Sequence, residues 1–255
     1  MAQSVSDLAL FDRAIVGGPA IEPANLRQVR LGIVPEFMAN QDEDTRAATD
    51  AALDKLRRAG VTFVNVEMPQ LELFDHDTEF PIVTYEVRDE LRAYLTEYHT
   101  GVDLETLVAG MPSPDEKKMF EEQVLPRKMP VPNGWTDLTP VYERAMHVSR
   151  PRMRALYRDT FARNRLDGLV FPTEPKVAPL AGPAVTEPEI FQQIIQNTGP
   201  GSVVGVPGLT LPSGLGAKSH LPIGLEIDGP EGSDRSLLSL GIAIEATLGR
   251  LEPPK

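Results

Sequence analysis

The spacing of apolar and polar residues changes along the chain, and each change marks a new element. VRLGIVP (29–35) is a short, almost unbroken apolar run, the pattern of a buried strand. DEDTRAATDAALDKLRRAG (42–60) follows, with Ala48, Ala51, Ala52, Leu56 and Ala59 at helical spacing. Acidic residues open this segment, arginines close it, and Gly60 is placed to stop it. VTFVNVEMP (61–69) is then a second strand, rich in β-branched residues. Strand, helix and strand on short connections predict a right-handed βαβ unit with parallel strands, and hence an α/β protein.

The middle of the chain is helical and less regular. PIVTYEVRDELRAYLTEYHT (81–100) and PDEKKMFEEQVLP (114–126) are patterned as surface helices. Residues 141–165 form a longer helical segment that must kink or restart at Pro151. LDGLVFPT (166–173) returns to a short buried strand, and EPEIFQQIIQN (187–197) to a helix. LTLPSG and LPIGLEIDG are two further short strands around the exposed loop LGAKSH. The last helix opens after Ser233, a candidate N-cap, and carries an apolar stripe from Leu237 to Leu248 that would pack on the sheet.

One stretch breaks the periodicity. NTGPGSVVGVPGLTLPSG (197–214) holds five glycines and three prolines between a helix and a strand. It reads either as a series of tight turns or as backbone shaped to lie against a ligand. The second reading suits its place in an α/β protein.

Composition narrows the function classes. With 255 residues, 41% hydrophobic and 24% charged, the chain is an ordinary globular polypeptide able to bury a sizeable core. The net charge of −12 disfavours nucleic-acid binding, and no apolar run is long enough for a membrane span. The N-terminus has no basic leader, so a soluble cytoplasmic protein is expected. Without cysteine, and without an i, i+4 pair among His76, His99, His147 and His220, neither a metal nor another cofactor is expected. The glycines around 199–205 lack a P-loop lysine and do not match a dinucleotide fingerprint.

Nucleophilic catalysis needs a hydroxyl, a base and oxyanion donors together. Ser202 and Ser213 lie in glycine-rich sequence, but neither sits in a G-x-S-x-G elbow and no base is evident for either. A turn serine bonding its own backbone is the simpler account of both. Asp228 and Asp234 flank a turn and are read as capping it. His147, beside an apolar helix face, is read as an interior residue before a catalytic one.

Three segments taken in order carry a family resemblance: DGLVFPTEPKVAP, NTGPGSVVGVPGLTLPSG and LPIGLEIDGPEGSDRSLLSLGIAIEATLG. Together they resemble the C-terminal part of the amidase signature family, nearest its mandelamide and indoleacetamide hydrolase branch. MAQSVSDLAL is similar to the segment that follows that family's catalytic region, so the resemblance covers almost the whole chain. It implies a mixed, mainly parallel sheet flanked by helices, in one domain over 1–255 with a helical substrate-pocket insertion at roughly 70–165.

The resemblance also implies an amide hydrolase that uses a lysine, a bridging serine and a serine nucleophile. The glycine- and serine-rich signature carrying those serines is absent from this chain, so no catalytic residue is carried over. Asn197, Thr198, Ser202 and His147 remain as candidates for the pocket lining or its supporting bonds. The implied partners are a small-molecule amide and an N-terminal catalytic portion. The alternatives are a non-catalytic chain or binding module, and a standalone esterase or amidase using Ser202 or Ser213. Losing the other half should leave an apolar face and an open strand edge beside 197–214, and with them a homodimer or poor solubility.

Overall fold

The structure is a computed structural model that describes residues 1–71, 77–182, 185 and 188–251. His76 and the first residue of the helix expected at 187–197 lie outside the described residues. Two compact units are present, one made of residues 1–71 and 154–255 and the other of residues 72–153.

The first unit opens with helix α1 (Val5–Val16). Ser4 caps it: its Oγ accepts from the Asp7 amide at 3.1 Å and donates to the Asp7 carboxylate at 2.7 Å. Strand β1 (Arg30–Ile33), helix α2 (Glu43–Ala59) and strand β2 (Thr62–Asn65) follow, and the two strands pair in parallel, Leu31 opposite Phe63. The expected βαβ unit is therefore present. Asp42 caps α2 by accepting from the Thr45 amide at 2.7 Å, and Gly60 ends it at φ +107°, a dihedral that only glycine adopts freely.

The second unit contains α3 (Glu79–Glu97), α4 (Leu104–Ala109) and α5 (Pro114–Met119), the last continuing as a π turn over Phe120–Val124. Leu104, Val108, Phe120 and Val124 form its core. A hairpin of β3 (Lys128–Val131) and β4 (Gly134–Asp137) comes next. The helical reading missed it, although Asn133-Gly134 is a hairpin signal. Arg127 stacks at 3.8 Å over Tyr85, which stacks in turn on Tyr142 at 4.0 Å. Helix α6 (Thr139–Arg144) passes through a π turn at Ala145–Ser149 into α7 (Arg150–Asn164), which from Arg154 on belongs to the first unit. The break expected at Pro151 is thus a widened turn just ahead of the proline, which has no amide hydrogen to donate.

Back in the first unit, β5 (Gly168–Pro172) is followed by α8 (Pro188–Ile195), α9 (Thr198–Val204), β6 (Gly208–Leu215), β7 (Pro222–Asp228) and α10 (Asp234–Leu248). The sheet order is β2-β1-β5-β7-β6. β1 pairs in parallel with β2 and β5, while β7 pairs antiparallel with both β5 and β6. Four strands therefore share one direction and β7 opposes them, giving the mixed, mainly parallel sheet flanked by helices.

One face of this sheet carries the main core. Leu31, Val170, Leu209, Leu211, Leu225 and Ile227 meet Ala52, Leu53 and Leu56 of α2 and Leu237, Leu240 and Ile244 of α10. Ser233 stands at the N-cap of α10, but its hydroxyl makes no capping bond. The loop after β6 is tied to the start of α2, where the Asp44 carboxylate accepts from the Lys218 and Ser219 amides at 3.0 and 2.7 Å.

Candidate functional site

The sheet's opposite face carries the chemistry. A β-strand turns alternate residues to opposite sides, so Ile223, Leu225 and Ile227 of β7 face the core while Gly224, Glu226 and Asp228 face away from it. Thr210 of β6 lies opposite Glu226, and Gly208 opposite Asp228. The Thr173 hydroxyl donates to Thr210 Oγ1 at 3.3 Å, and the Thr210 hydroxyl donates to Glu226 Oε2 at 3.3 Å. A row of hydroxyls and carboxyls thus crosses the sheet just past the end of β5.

Glycine makes this face passable. A Cβ on Gly208 would sit 3.0 Å from Asp228 Oδ1 and 3.1 Å from Glu226 Oε1, and one on Gly224 would sit 2.7 Å from Thr173 Oγ1. A Cβ on Gly201, in α9, would meet Asp228 Oδ2 at 2.5 Å. At Gly201 and Gly208 the glycine-rich stretch therefore answers to close backbone approach to the protein's own carboxyls, while Gly205 and Gly214 take positive φ in open space. Its first half is also not a set of turns: residues 198–204 are helical, ended by Gly205.

Asp228 is 2% exposed, and its Oδ2 has no hydrogen-bond partner. It does not cap a turn as expected, because it is the last residue of β7 and lies beneath α9. Burial, and then the neighbouring charge of Glu226, push its pKa up to about 8, so it is mostly protonated at neutral pH. Burial also raises the pKa of Glu226, against hydrogen bonds from Thr210 and Thr173 that lower it. The period-2 pattern of LPIGLEIDG already separates these two acids from the core, and it was the signal that sequence reasoning passed over.

Three of the four candidate residues fall together at the start of α9. Asn197 is fully buried, and its Nδ2 donates to the Phe37 carbonyl at 2.9 Å and the Pro172 carbonyl at 2.7 Å. It anchors α9 to the end of β5. The Thr198 hydroxyl donates to the Ile195 carbonyl at 3.4 Å. The Ser202 hydroxyl is exposed and donates to the Thr198 carbonyl at 2.9 Å, one helical turn back. That is the expected backbone bond, made in a helix instead of a turn. Ser213 bonds across the sheet to the Ile223 carbonyl at 2.9 Å. His147 is not an interior residue: it lies in the helical unit with its side chain 74% exposed, and its Nε2 is 3.1 Å from the Glu143 carboxylate.

The expected exposed surface beside 197–214 is present in part. The expected open strand edge is present, since β6 is an edge strand among the described residues. Along it, however, the exposed positions Gly208, Thr210 and Pro212 make no large apolar face, and Leu215 is 53% exposed at its end. A surface depression of about 550 Å³ lies between residues 19–24 and the start of α10. The guanidinium lining it, Arg235, is already bonded to Asp12 and to the Gly17 and Pro19 carbonyls. Among the described residues no group of three or more acidic or histidine side chains could hold a metal ion, and no helix is long and apolar enough to cross a membrane.

A family model described as Amidase matches residues 1–238. The chain belongs to the amidase family. Over 255 residues it is 38% identical to a mandelamide hydrolase from Pseudomonas putida, covering all of this chain and 50% of that protein. It is 34% identical to an indoleacetamide hydrolase from Rhizobium radiobacter, covering 98% of this chain and 53% of the relative. Among solved structures, the native peptide amidase of Stenotrophomonas maltophilia superposes with a TM-score of 0.68 at 23% identity, over 100% of this chain and 54% of that one. The amidase chain thus spans about half the length of the relatives it matches.

Proposed function

We propose that this chain is the C-terminal portion of an amide hydrolase, and that it hydrolyses carboxylic amides only together with an N-terminal portion. That portion would supply the lysine, bridging serine and nucleophilic serine that the family resemblance implies. The substrate class that fits the relatives is an aryl-acetamide such as mandelamide or indoleacetamide. One observation carries the reading: the chain matches about half of each relative, while Ser202 and Ser213 both donate to backbone carbonyls and neither bonds to a base. A nucleophile without a base is weak. Thr198 and Ser202 are proposed to line the pocket, with Asn197 holding their helix in place. His147 is proposed as a weaker pocket candidate, from the helical unit, where it sits beside Glu143.

The test is turnover of mandelamide and indoleacetamide, with the purified chain alone and after mixing with a complementary amidase portion. No turnover alone and turnover after mixing are expected. Turnover by the chain alone, abolished by Ser202→Ala or Ser213→Ala, would favour the standalone esterase reading. Silence in both experiments would favour the binding module.

A further inference from the structure

Two carboxyls converge over one glycine. The place that a Cβ on Gly208 would take is 3.0 Å from Asp228 Oδ1 and 3.1 Å from Glu226 Oε1, and Gly208 itself is exposed. The missing side chain leaves a way from solvent towards both acids. Glu226 and Asp228 are two apart on β7, so their side chains leave the same face of the strand. Thr210, exposed and opposite Glu226, donates to Glu226 Oε2 at 3.3 Å. Behind this opening Asp228 is 2% exposed, and its Oδ2 has no hydrogen-bond partner. A buried carboxyl in that state lacks a donor. The strands and helix packed against it, β5, β6 and α9, carry no lysine, arginine or histidine to provide one.

We propose that Glu226 and Asp228 form a binding site for a primary ammonium group, entered over Gly208. The two acids are of one sign and no basic side chain of those elements balances them, so the ligand is a cation. An ammonium presents at least three N–H donors from a single atom, enough to reach Glu226 Oε1 and Asp228 Oδ1 at once. A divalent ion asks for six or more oxygen ligands, and among the described residues no third carboxylate or imidazole joins these two. Amide hydrolysis supplies a fitting ligand. Water and a primary amide give a carboxylic acid and ammonia, which takes up a proton at neutral pH. A substrate carrying its own amine is the other source. The source rests on the amide hydrolase reading above, whereas the site rests on the geometry around Gly208. Because Asp228 holds a proton at neutral pH, a bound cation favours its release. Affinity should therefore rise between about pH 6 and about pH 8.

The experiment reads binding to the purified chain alone and involves no turnover. Tm is followed against rising ammonium chloride, with sodium, potassium and tetramethylammonium chlorides at matched ionic strength. Ammonium should raise Tm along a saturable curve, by about 3–6 °C at about ten times the half-saturating concentration. The rise should be larger at about pH 8 than at about pH 6. Tetramethylammonium has the charge but no N–H, and should act like sodium. Glu226→Gln should lose the ammonium effect, and Asp228→Asn its pH dependence. Benzylamine, compared with benzyl alcohol, separates the sources. A rise with benzylamine and not with the alcohol extends the site to substrate amines, and a rise with ammonium alone confines it to the released ammonia.

An equal rise with potassium or tetramethylammonium overturns the choice of ligand. No rise with ammonium, or a rise that Glu226→Gln retains in full, overturns the site. A wild-type rise that is the same at both pH values removes Asp228 from it, and this reading needs no variant to fold. Each of these outcomes leaves the half-enzyme reading standing, because that reading is tested by turnover.

Discussion

The two faces of strands β7 and β6 are built from alternate residues of the same strands, yet they hold opposite chemistry. Strand β5 is apolar on both, with Leu169 and Phe171 fully buried behind Val170. Towards α2 and α10, Val170, Leu209, Leu211, Leu225 and Ile227 make a closed apolar layer. On the other side, Thr173, Thr210, Glu226 and Asp228 stand among glycines, with Thr210 and Gly208 open to solvent. Helix α9, seven residues long, covers only the Asp228 end. The first face is spent on stability. The second carries one buried carboxyl, Asp228, beside the half-buried Glu226, and both work against stability.

The comparison breaks first, and most visibly, at Leu225. Its side chain is fully buried among both helices, so Leu225→Ala should cost about 2–5 kcal/mol in urea or thermal unfolding. A loss below about 1 kcal/mol would mean that this face is not the close-packed core described above. At Gly201 the expected effect is smaller but more specific. Gly201→Ala places a methyl 2.5 Å from Asp228 Oδ2, so α9 must lift or the carboxyl must turn, at a cost of about 1–3 kcal/mol. Combining it with Asp228→Ala removes the clashing oxygens, and a double-mutant cycle should return a favourable coupling of about 1 kcal/mol or more. Additive losses would show that α9 does not bear on that carboxyl.

How much of this was legible in the sequence follows from which forces are local. The βαβ unit was legible because Asp42, Arg57, Arg58 and Gly60 mark the limits of α2 within its own segment. Strands β5 and β7 were legible from their apolar runs. Helix α9 was not, because its Thr-Gly-Pro-Gly start is poor helix sequence, and it is held instead by Asn197 reaching the distant Phe37 and Pro172 carbonyls. The role of Asp228 was hidden for a similar reason. Its environment is set by Gly201, brought over it from another element. Ser202 kept its expected bond to backbone, since that bond is local whether the backbone is a turn or a helix. His147 was misplaced because its apolar neighbours in sequence do not surround its side chain in the fold.

Asp228 gives the finest test of the contrast, through pH. Its carboxyl titrates near pH 8 in the folded chain, against an ordinary value of 3.8. Between those values the folded state holds a proton that the unfolded state has released. Stability must therefore fall as pH rises from about 4 to about 8, with a limiting slope of about 1.4 kcal/mol per pH unit from this group. Below that window the carboxyl is protonated in both states and costs nothing by this route. Above it the full penalty is present and stays constant. Among the described residues the packing elements β5, β6 and α9 carry no titratable side chain to relieve it, and Glu226 on β7 adds charge of the same sign. Asp228→Asn removes the titration but leaves a buried amide to satisfy, at about 1–3 kcal/mol. The variant should thus be less stable than the wild type at pH 4, and the gap should close or reverse by pH 8. The measurement is the urea midpoint of both proteins across that range. Parallel curves would mean that Asp228 ionises normally in the folded chain, and that the second face is no more costly than an ordinary polar surface.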